Sequence, residues 1–292
     1  MNTTTPSINN MTPETGREVR EDGTIINTAD IITASLDNTN GGFKTTNLMT
    51  EIARGNVPGA TSFYGYGQHT TTTALTNHVI WPDGIFNLPP TAGVQISVVS
   101  TSAADDGNPV GTGVRTMDIH YLDANLNPLV ETITLNGITP VLTVATNIRF
   151  IQCMHILSVG SAKSAVGIIT ATSSAVIYAQ IDALSRRCAS TARMVPIGKK
   201  LFVAGATGGS ISGTAASGAI IKISSSYFEG HDFTQYGMYI PFGSISSQDM
   251  SVAYSFPIPA GPFPAGSVVL MEVTVDKAAT ITGNWYGWLE NA

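Results

Sequence analysis

Residues 111–140 read GTGVRTMDIHYLDANLNPLVETITLNGITP, and this stretch decides the fold class. Two runs rich in β-branched residues, 114–122 and 129–135, flank an Asp/Asn/Pro turn, and Asn136-Gly137 supplies a second turn signal. From Met117 to Tyr121 every second residue is apolar, which is typical of a strand with one buried face. The stretch therefore predicts a β-meander of antiparallel strands.

The rest of the chain after residue 60 repeats this pattern of short apolar runs between turn residues, without a long helical period. The 29 Gly and 15 Pro residues agree with many tight turns. We therefore predict an all-β protein, an antiparallel β-sandwich of jelly-roll-like type. The further predicted strands are 94–100, 141–144, 148–156, 166–172, 175–181, 200–204, 219–225, 251–256, 268–275 and 279–288, with one turn of helix as an option at 181–192.

Residues 1–60 differ from the remainder, because they are rich in Thr, Asn and Gly and contain one short candidate helix, 45–53. Such a segment buries too little apolar surface to order itself. We expect an extended N-terminal docking arm held by a neighbouring subunit or a host particle, or lying on its own domain. Residues 61–292 are expected to form the β-sandwich domain, with a division near 190–200 as an option.

Composition narrows the function classes. Only 12% of residues are charged, and 14 basic against 20 acidic residues give a net charge of −6, which argues against direct nucleic-acid binding. The most apolar stretch, 151–181, is interrupted by His155 and Lys163, so we expect no transmembrane segment. The N-terminus lacks an apolar signal core, which predicts assembly in the cytoplasm. Cys153 and Cys188 lie in apolar or small-residue surroundings, and free buried thiols are favoured over a disulfide.

Candidate chemistry is sparse, and we expect no catalytic residue, cofactor or metal site. The Asp105-Asp106 turn offers oxygen ligands for calcium but lacks the full spacing of a calcium loop, so a solvated turn is favoured. The Gly/Ser stretch 207–218 has no Ser midway between two Gly and is interpreted as a flexible loop. Stretch 229–232 is expected to cap a strand or contact a subunit, and the Pro-rich stretch 257–264 to be a stiff connection.

Aromatic side chains cluster at both ends of the predicted β region. They supply large contact areas at low entropic cost, so we interpret them as core or subunit-interface residues, with stacking on sugar rings as the alternative. These candidate subunit-interface or glycan-contact residues are Phe63, Tyr64, Tyr66, Trp285, Tyr286 and Trp288.

The segment 111–137 also resembles a segment of structural proteins of tailed bacteriophage virions. The resemblance lies in Gly-Thr-Gly-Val-Arg-Thr (111–116), Ile-His-Tyr-Leu-Asp (119–123) and Glu-Thr-Ile-Thr-Leu-Asn-Gly (131–137). It implies a virion component, such as a capsid decoration protein, another minor capsid protein or a head fibre, or a protein of the neck or tail.

These lines together predict a non-enzymatic virion protein that docks through its arm and displays a β-sandwich. Its expected partners are other virion proteins, either major capsid or neck and tail proteins, and further copies of itself, with a homotrimer favoured by analogy with virion proteins. A receptor-binding tail fibre that contacts host glycans through loops around 205–218 and 229–248 is the alternative within this class. A carbohydrate-binding module or depolymerase with a dispersed acid pair is the alternative of another class.

Overall fold

The computed structural model describes residues 17–19, 25–27, 48–83, 85–211, 219–226, 240–241 and 250–292. The chain divides into two compact units, residues 1–54 and 55–292. The first contains an antiparallel strand pair, β1 (Arg17–Val19) and β2 (Ile25–Asn27), and one short helix, α1 (Leu48–Ala53). Most of the predicted arm therefore lies outside the described residues.

The second unit is built from antiparallel strands, which confirms the prediction of an all-β fold. Its strands are β3 (Thr61–Thr71), β4 (Leu75–Val79), β5 (Ser97–Ser100), β6 (Val114–Asp123), β7 (Pro128–Thr134), β8 (Val141–Leu142), β9 (Ile148–Val159), β10 (Ile169–Ser173), β11 (Val176–Ile181), β12 (Arg193–Met194), β13 (Lys199–Ile211), β14 (Ala219–Ser226), β15 (Ile240–Pro241), β16 (Met250–Phe263), β17 (Val268–Val275) and β18 (Ala279–Asn291).

Eight of these strands, β3, β4 and β13 to β18, form a jelly roll. The first pairs with the last, the second with the seventh, the third with the sixth and the fourth with the fifth. This is the pairing of one long antiparallel ribbon. The ribbon closes on itself because β18 also pairs with β13 and β17 with β14. One sheet is ordered β16-β13-β18-β3, and the other is ordered β15-β14-β17, with β4 and the short β12 both pairing with β17. Two packed sheets of this order define the jelly roll and confirm the predicted sandwich.

The core of the roll follows from alternation along its strands. On β18 the side chains of Ile281, Trp285 and Leu289 are buried and point between the sheets, and on β17 Met271 and Val273 meet them from the opposite sheet. Burying each such side chain contributes roughly 1.5–3 kcal/mol before the loss of chain entropy is counted. The interior of the roll is therefore filled with apolar side chains.

A second sandwich is inserted between β4 and β12. It consists of the sheets β11-β10-β5-β8 and β7-β6-β9, and it has its own buried core. The hairpin predicted from residues 111–140 is present as β6 and β7. The third strand, β9, lies on the other side of β6 rather than beside β7, so the order differs from a simple meander. Core residues include Ile96, Met117, Ile119, Ile148, Met154 and Ile169.

The two sandwiches are joined by a third buried cluster. Leu122 and Phe150 of the inserted sandwich pack with Met194 and Leu270 of the roll. Gln152 of β9 reinforces the junction, because its amide donates to the backbone oxygen of Met194 and accepts from the Met194 nitrogen. The junction is thus held together by apolar packing and by the hydrogen bonds of Gln152.

Three local expectations were wrong. Residues 182–192 form turns and irregular chain rather than a turn of helix, and they pair with β9 at residue 187. The Pro-rich stretch belongs to β16 up to residue 263, at a sheet edge, where proline is tolerated because the missing N–H is not needed. Residues 207–211 belong to β13, while the rest of the predicted Gly/Ser loop and stretch 229–232 lie outside the described residues.

Candidate functional site

Of the six aromatic residues, Trp285 lies in the core of the roll, and Phe63 is a partly buried residue packed against that core. The Trp285 side chain is fully buried, and its Nε1 donates to the backbone oxygen of Thr191 at 2.7 Å. The ring of Phe63 packs against it with centroids 5.9 Å apart. The interior position of Trp285 removes it from the residues that a partner or a sugar could touch.

The other four aromatic residues are on the outer face of the same sheet, because successive side chains of a strand alternate between its two faces. Tyr64 and Tyr286, for example, lie opposite each other, and each directly follows or precedes an inward-facing residue. Trp288 is only 5% exposed, since its ring stacks on Phe202 of β13 with centroids 5.2 Å apart. Tyr64 is 52% exposed, whereas Tyr66 and Tyr286 are half-buried.

A cleft of about 160 Å³ lies between the roll and the inserted sandwich. Tyr64 and Tyr66 of β3 form one wall, and Cys153 and His155 of β9 form the other. A space of this size suits one ring-sized or smaller group rather than an extended ligand.

The chain returning from the inserted sandwich to the roll, residues 182–192, forms the floor of the cleft with Arg193 at its end. The Arg187 guanidinium lies over the Tyr66 ring, with 5.4 Å between its carbon and the ring centroid. Cys188 follows and is buried. The return segment also holds the roll closed, because Thr191 bonds the backbone of both Ile80 and Met271.

Arg193 is a buried cation beside the cleft, with 8% of its surface exposed. Its Nη1 donates to the backbone oxygens of Ser190 at 2.9 Å and Ala192 at 2.7 Å. In the part of the chain that the structure describes, no carboxylate lies within ion-pair distance of it. A buried cation is costly without negative charge nearby, so the cleft stabilises negatively charged groups, including the thiolate form of Cys188.

Burial lowers the pKa of His155, and the neighbouring His120, Arg187 and Arg193 lower it further. The two imidazole rings meet edge to face with centroids 5.1 Å apart. His155 is therefore neutral at pH 7, and its ring can accept a hydrogen bond at one nitrogen and donate at the other.

Cys153 and Cys188 are free thiols whose Sγ atoms lie 3.5 Å apart. The hydrogen bond between the two sulfurs lowers the pKa of Cys188 to about 6, against the opposing effect of burial and with help from Arg193. The same contact raises the pKa of Cys153. One thiol of the pair is therefore a thiolate at neutral pH, and the other holds the proton.

Asp105 is not the solvated turn residue that the sequence suggested. It is fully buried, and its carboxylate accepts hydrogen bonds from the Ser100 hydroxyl and from the backbone nitrogens of Val114, Val166 and Gly167, at 2.7 to 3.0 Å. Donors of the inserted sandwich thus satisfy both oxygens, which explains why this carboxylate can be buried.

Metal-ligating side chains are dispersed across the described ranges, where no group of three or more His, Cys, Asp or Glu is arranged to hold an ion. No helix in these ranges has the length and apolarity needed to cross a membrane.

Sequence reasoning missed the cleft, because its walls come from residues 62–66, 153–155 and 187–193, which are distant in the chain. Tyr64 and Tyr66 were singled out for their aromatic rings, and Cys153 and Cys188 were interpreted as free buried thiols rather than as a disulfide. Having only two cysteines in the chain could have suggested that both belong to one site, but the 35 positions between them gave no indication that they are in contact.

The pairing order and the filled interior define the class of protein as a jelly roll that carries an inserted second sandwich. No family model and no curated protein matches the chain.

Among solved structures, the chain is similar to infectious bursal disease virus structures. For the Gt strain the identity is 10%, covering 84% of this chain and 77% of that chain, with a TM-score of 0.22. For the Gx strain the identity is 9%, covering 80% of each chain, with a TM-score of 0.18. For the T13 viral particle of the same virus the identity is 8%, covering 80% of this chain and 74% of that chain, with a TM-score of 0.20. The strand order of the roll is what defines the class.

Proposed function

We propose that this chain is a non-enzymatic structural protein of a virion, with the jelly roll as its building unit. The strand pairing order of the roll is the observation that carries the proposal. Jelly rolls serve as viral capsid domains, lectin domains and cupins. Because apolar side chains such as Trp285 and Met271 fill the interior, this roll favours a building unit over a barrel that encloses a ligand.

The particle we propose is a tailed bacteriophage, assembled in the host cytoplasm. The support is the resemblance of residues 111–137, which include the β6–β7 hairpin of the inserted sandwich. The chain would decorate the capsid or form a head fibre, docked on major capsid proteins through residues 1–60, and a neck or tail adaptor is the alternative position. A homotrimer is the proposed assembly, since virion components of this class form closed symmetric oligomers.

Purified particles test the proposal. Particles from the source culture are separated on a density gradient, and each fraction is quantified by mass spectrometry. We expect the chain to follow the particles in a constant ratio to the other virion proteins and to remain bound after a high-salt wash. Recovery only from particle-free fractions would overturn the proposal. Light scattering of the purified chain checks the trimer separately.

A second candidate function is recognition of an acidic sugar, favoured by the cleft. Its described lining presents the guanidinium groups of Arg187 and Arg193 and two tyrosine rings, but no carboxylate. Tyrosine faces stack on sugar rings, and guanidinium groups pair with carboxylates. The absence of a carboxylate from this lining gives no support to a depolymerase at the cleft.

Calorimetric titration with glucuronate and N-acetylneuraminate tests this candidate, with glucose as the uncharged control. We expect binding of the acidic sugars only, lost in Arg187→Ala and retained in Arg186→Ala, whose side chain is an exposed neighbour outside the cleft lining. Absence of binding by the native chain, or equal loss in both variants, would remove the candidate.

A further inference from the structure

The two cysteines of the chain meet at the junction of the sandwiches although 35 positions separate them. Cys153 lies on β9 of the inserted sandwich, and Cys188 lies on the return segment. The backbone holds them in register, since the Cys188 nitrogen donates to the Met154 oxygen at 3.0 Å and the Met154 nitrogen donates to the Cys188 Sγ at 3.2 Å. Their contact is thus fixed by strand pairing rather than by side-chain rotation alone.

Both cysteines line the cleft, which is the route by which a small solute would reach them. Cys153 is half-buried, and Cys188 is 5% exposed. A disulfide requires the sulfurs to approach from 3.5 Å to about 2.05 Å. Rotation of the two side chains, whose backbones are already held in register, supplies this movement.

We propose that Cys153 and Cys188 form a reversible disulfide when the protein meets a peroxide-class oxidant. The Cys188 thiolate attacks one peroxide oxygen, the O–O bond breaks, and the departing hydroxide takes a proton to become water. Cys188 is then a sulfenic acid. The Cys153 sulfur attacks the Cys188 sulfur, the S–S bond forms as the S–O bond breaks, and the hydroxyl leaves with the Cys153 proton as a second water. Two thiols are oxidised and one peroxide is reduced to two waters.

The surroundings of the two thiols explain why Cys188 attacks the peroxide and Cys153 attacks second. The hydrogen bond between the two sulfurs and the positive charge of Arg193 lower the pKa of Cys188, which makes it the attacking thiolate, while Cys153 keeps its proton until the second step. Arg193 acts here as a positioning residue, because it touches neither peroxide nor the new bond.

The bond would tie β9 to the segment that leads into β12, and so would lock the junction between the sandwiches. Under the proposed virion function, the chain would fold and assemble as a dithiol in a reducing cytoplasm and be locked after release. Only this timing rests on the proposed function; the disulfide itself does not, and it is tested on the purified chain.

The reduced full-length chain is treated with hydrogen peroxide, then examined by thiol titration after denaturation and by intact mass. We expect loss of both thiols, a mass lower by two hydrogens, and a peptide joining residues 153 and 188. The Tm should rise by roughly 5–10 °C and return on reduction with dithiothreitol. Folded protein that keeps both thiols, or that forms only bonds between chains, would overturn the proposal.

Cys153→Ser is the matched control, since it keeps the attacking thiol and removes the resolving one. With peroxide this variant should give a sulfenic acid on Cys188 that dimedone traps, with no rise in Tm. A rise equal to that of the native chain would show that the stabilisation does not come from the disulfide.

The rate of oxidation across pH tests the role of Arg193. In the native chain the rate should reach half of its plateau near pH 6, whereas an ordinary thiol does so near pH 8.5. Arg193→Lys should keep the low midpoint, and Arg193→Gln should raise it. A native midpoint near pH 8.5 would contradict the assignment of Cys188 as the attacking thiolate.

Discussion

Asp105 joins three segments of the inserted sandwich through one carboxylate. Its two oxygens accept from Ser100, from Val114 at the start of β6, and from Val166 and Gly167 before β10. Because the group is fully buried, its charge is compensated only by these donors. The turn sequence around residue 105 gives no sign of this role, since Asp is common in solvated turns as well.

Asp105→Asn should lower the free energy of unfolding by about 3–5 kcal/mol, because an amide group would face donors that need an acceptor. Urea unfolding monitored by circular dichroism measures the change. Asp106→Asn is the control, since its Oδ1 accepts from the Asn108 nitrogen and an amide oxygen can replace it. Equal effects of the two substitutions would contradict the structural role of Asp105.

Among the elements, β3 depends on a glycine for its contact with the return segment. A Cβ at Gly65 would collide with the Thr191 oxygen and with the Trp285 Nε1, which are hydrogen-bonded to each other. Glycine is needed here for close approach of two backbones rather than for a turn.

Gly65→Ala should therefore destabilise the roll by about 3 kcal/mol, because the Trp285 hydrogen bond and its packing cannot both persist. Ser62→Ala, on an exposed position of the same strand, should change stability by less than about 0.5 kcal/mol. Chemical denaturation of both variants measures the difference. A neutral Gly65→Ala would show that the return segment does not lie against β3.

Two partly buried histidines on paired strands, His78 of β4 and His155 of β9, make the protein sensitive to mild acid. Burial and the neighbouring His69, whose ring centroid lies 4.4 Å away, lower the pKa of His78, as burial lowers that of His155. Folded-state pKa values below the ordinary 6.5 mean that the unfolded chain binds more protons. Stability from these groups is present above pH 6.5 and is lost as pH falls through the folded-state values.

We expect the Tm to decrease as the pH falls from about 7 to about 5.5, a range above the titration of most carboxylates. The double variant His78→Gln/His155→Gln should show a flatter slope over the same range, whatever its Tm at neutral pH. Differential scanning calorimetry measures both slopes. An unchanged slope in the double variant would place the acid sensitivity elsewhere.

Local sequence pattern was sufficient to predict most strands, and β17 was predicted at residues 268–275 as observed. It was insufficient to show that a second sandwich is inserted into the roll. The insertion is visible only from the partners of the roll strands, such as Thr70 and Thr280, which are 210 positions apart. Strand propensity contains no information on such long-range partners. The cleft was missed for the same reason, whereas Tyr64 could be singled out because exposed aromatic residues are informative in themselves.

At the scale of the whole molecule, the unit formed by residues 55–292 contains the buried cores of both sandwiches and the cluster that joins them. Removing residues 1–54 should therefore leave a folded chain whose Tm changes by no more than about 2 °C. In an assembly assay the shortened chain should fail to enter particles, because docking through the arm is the proposed role of this segment. Aggregation or a much lower Tm would mean that the segment belongs to the fold.

Cryo-electron microscopy of intact particles from the source tests the virion function most directly. The account predicts ordered copies of the jelly roll with its inserted sandwich on the particle, in threefold groups on the head, with the N-terminal segment against neighbouring capsid subunits. A few copies at the neck or tail would keep the virion function and change the position. Particles complete in all other proteins but without density for this chain would contradict the account.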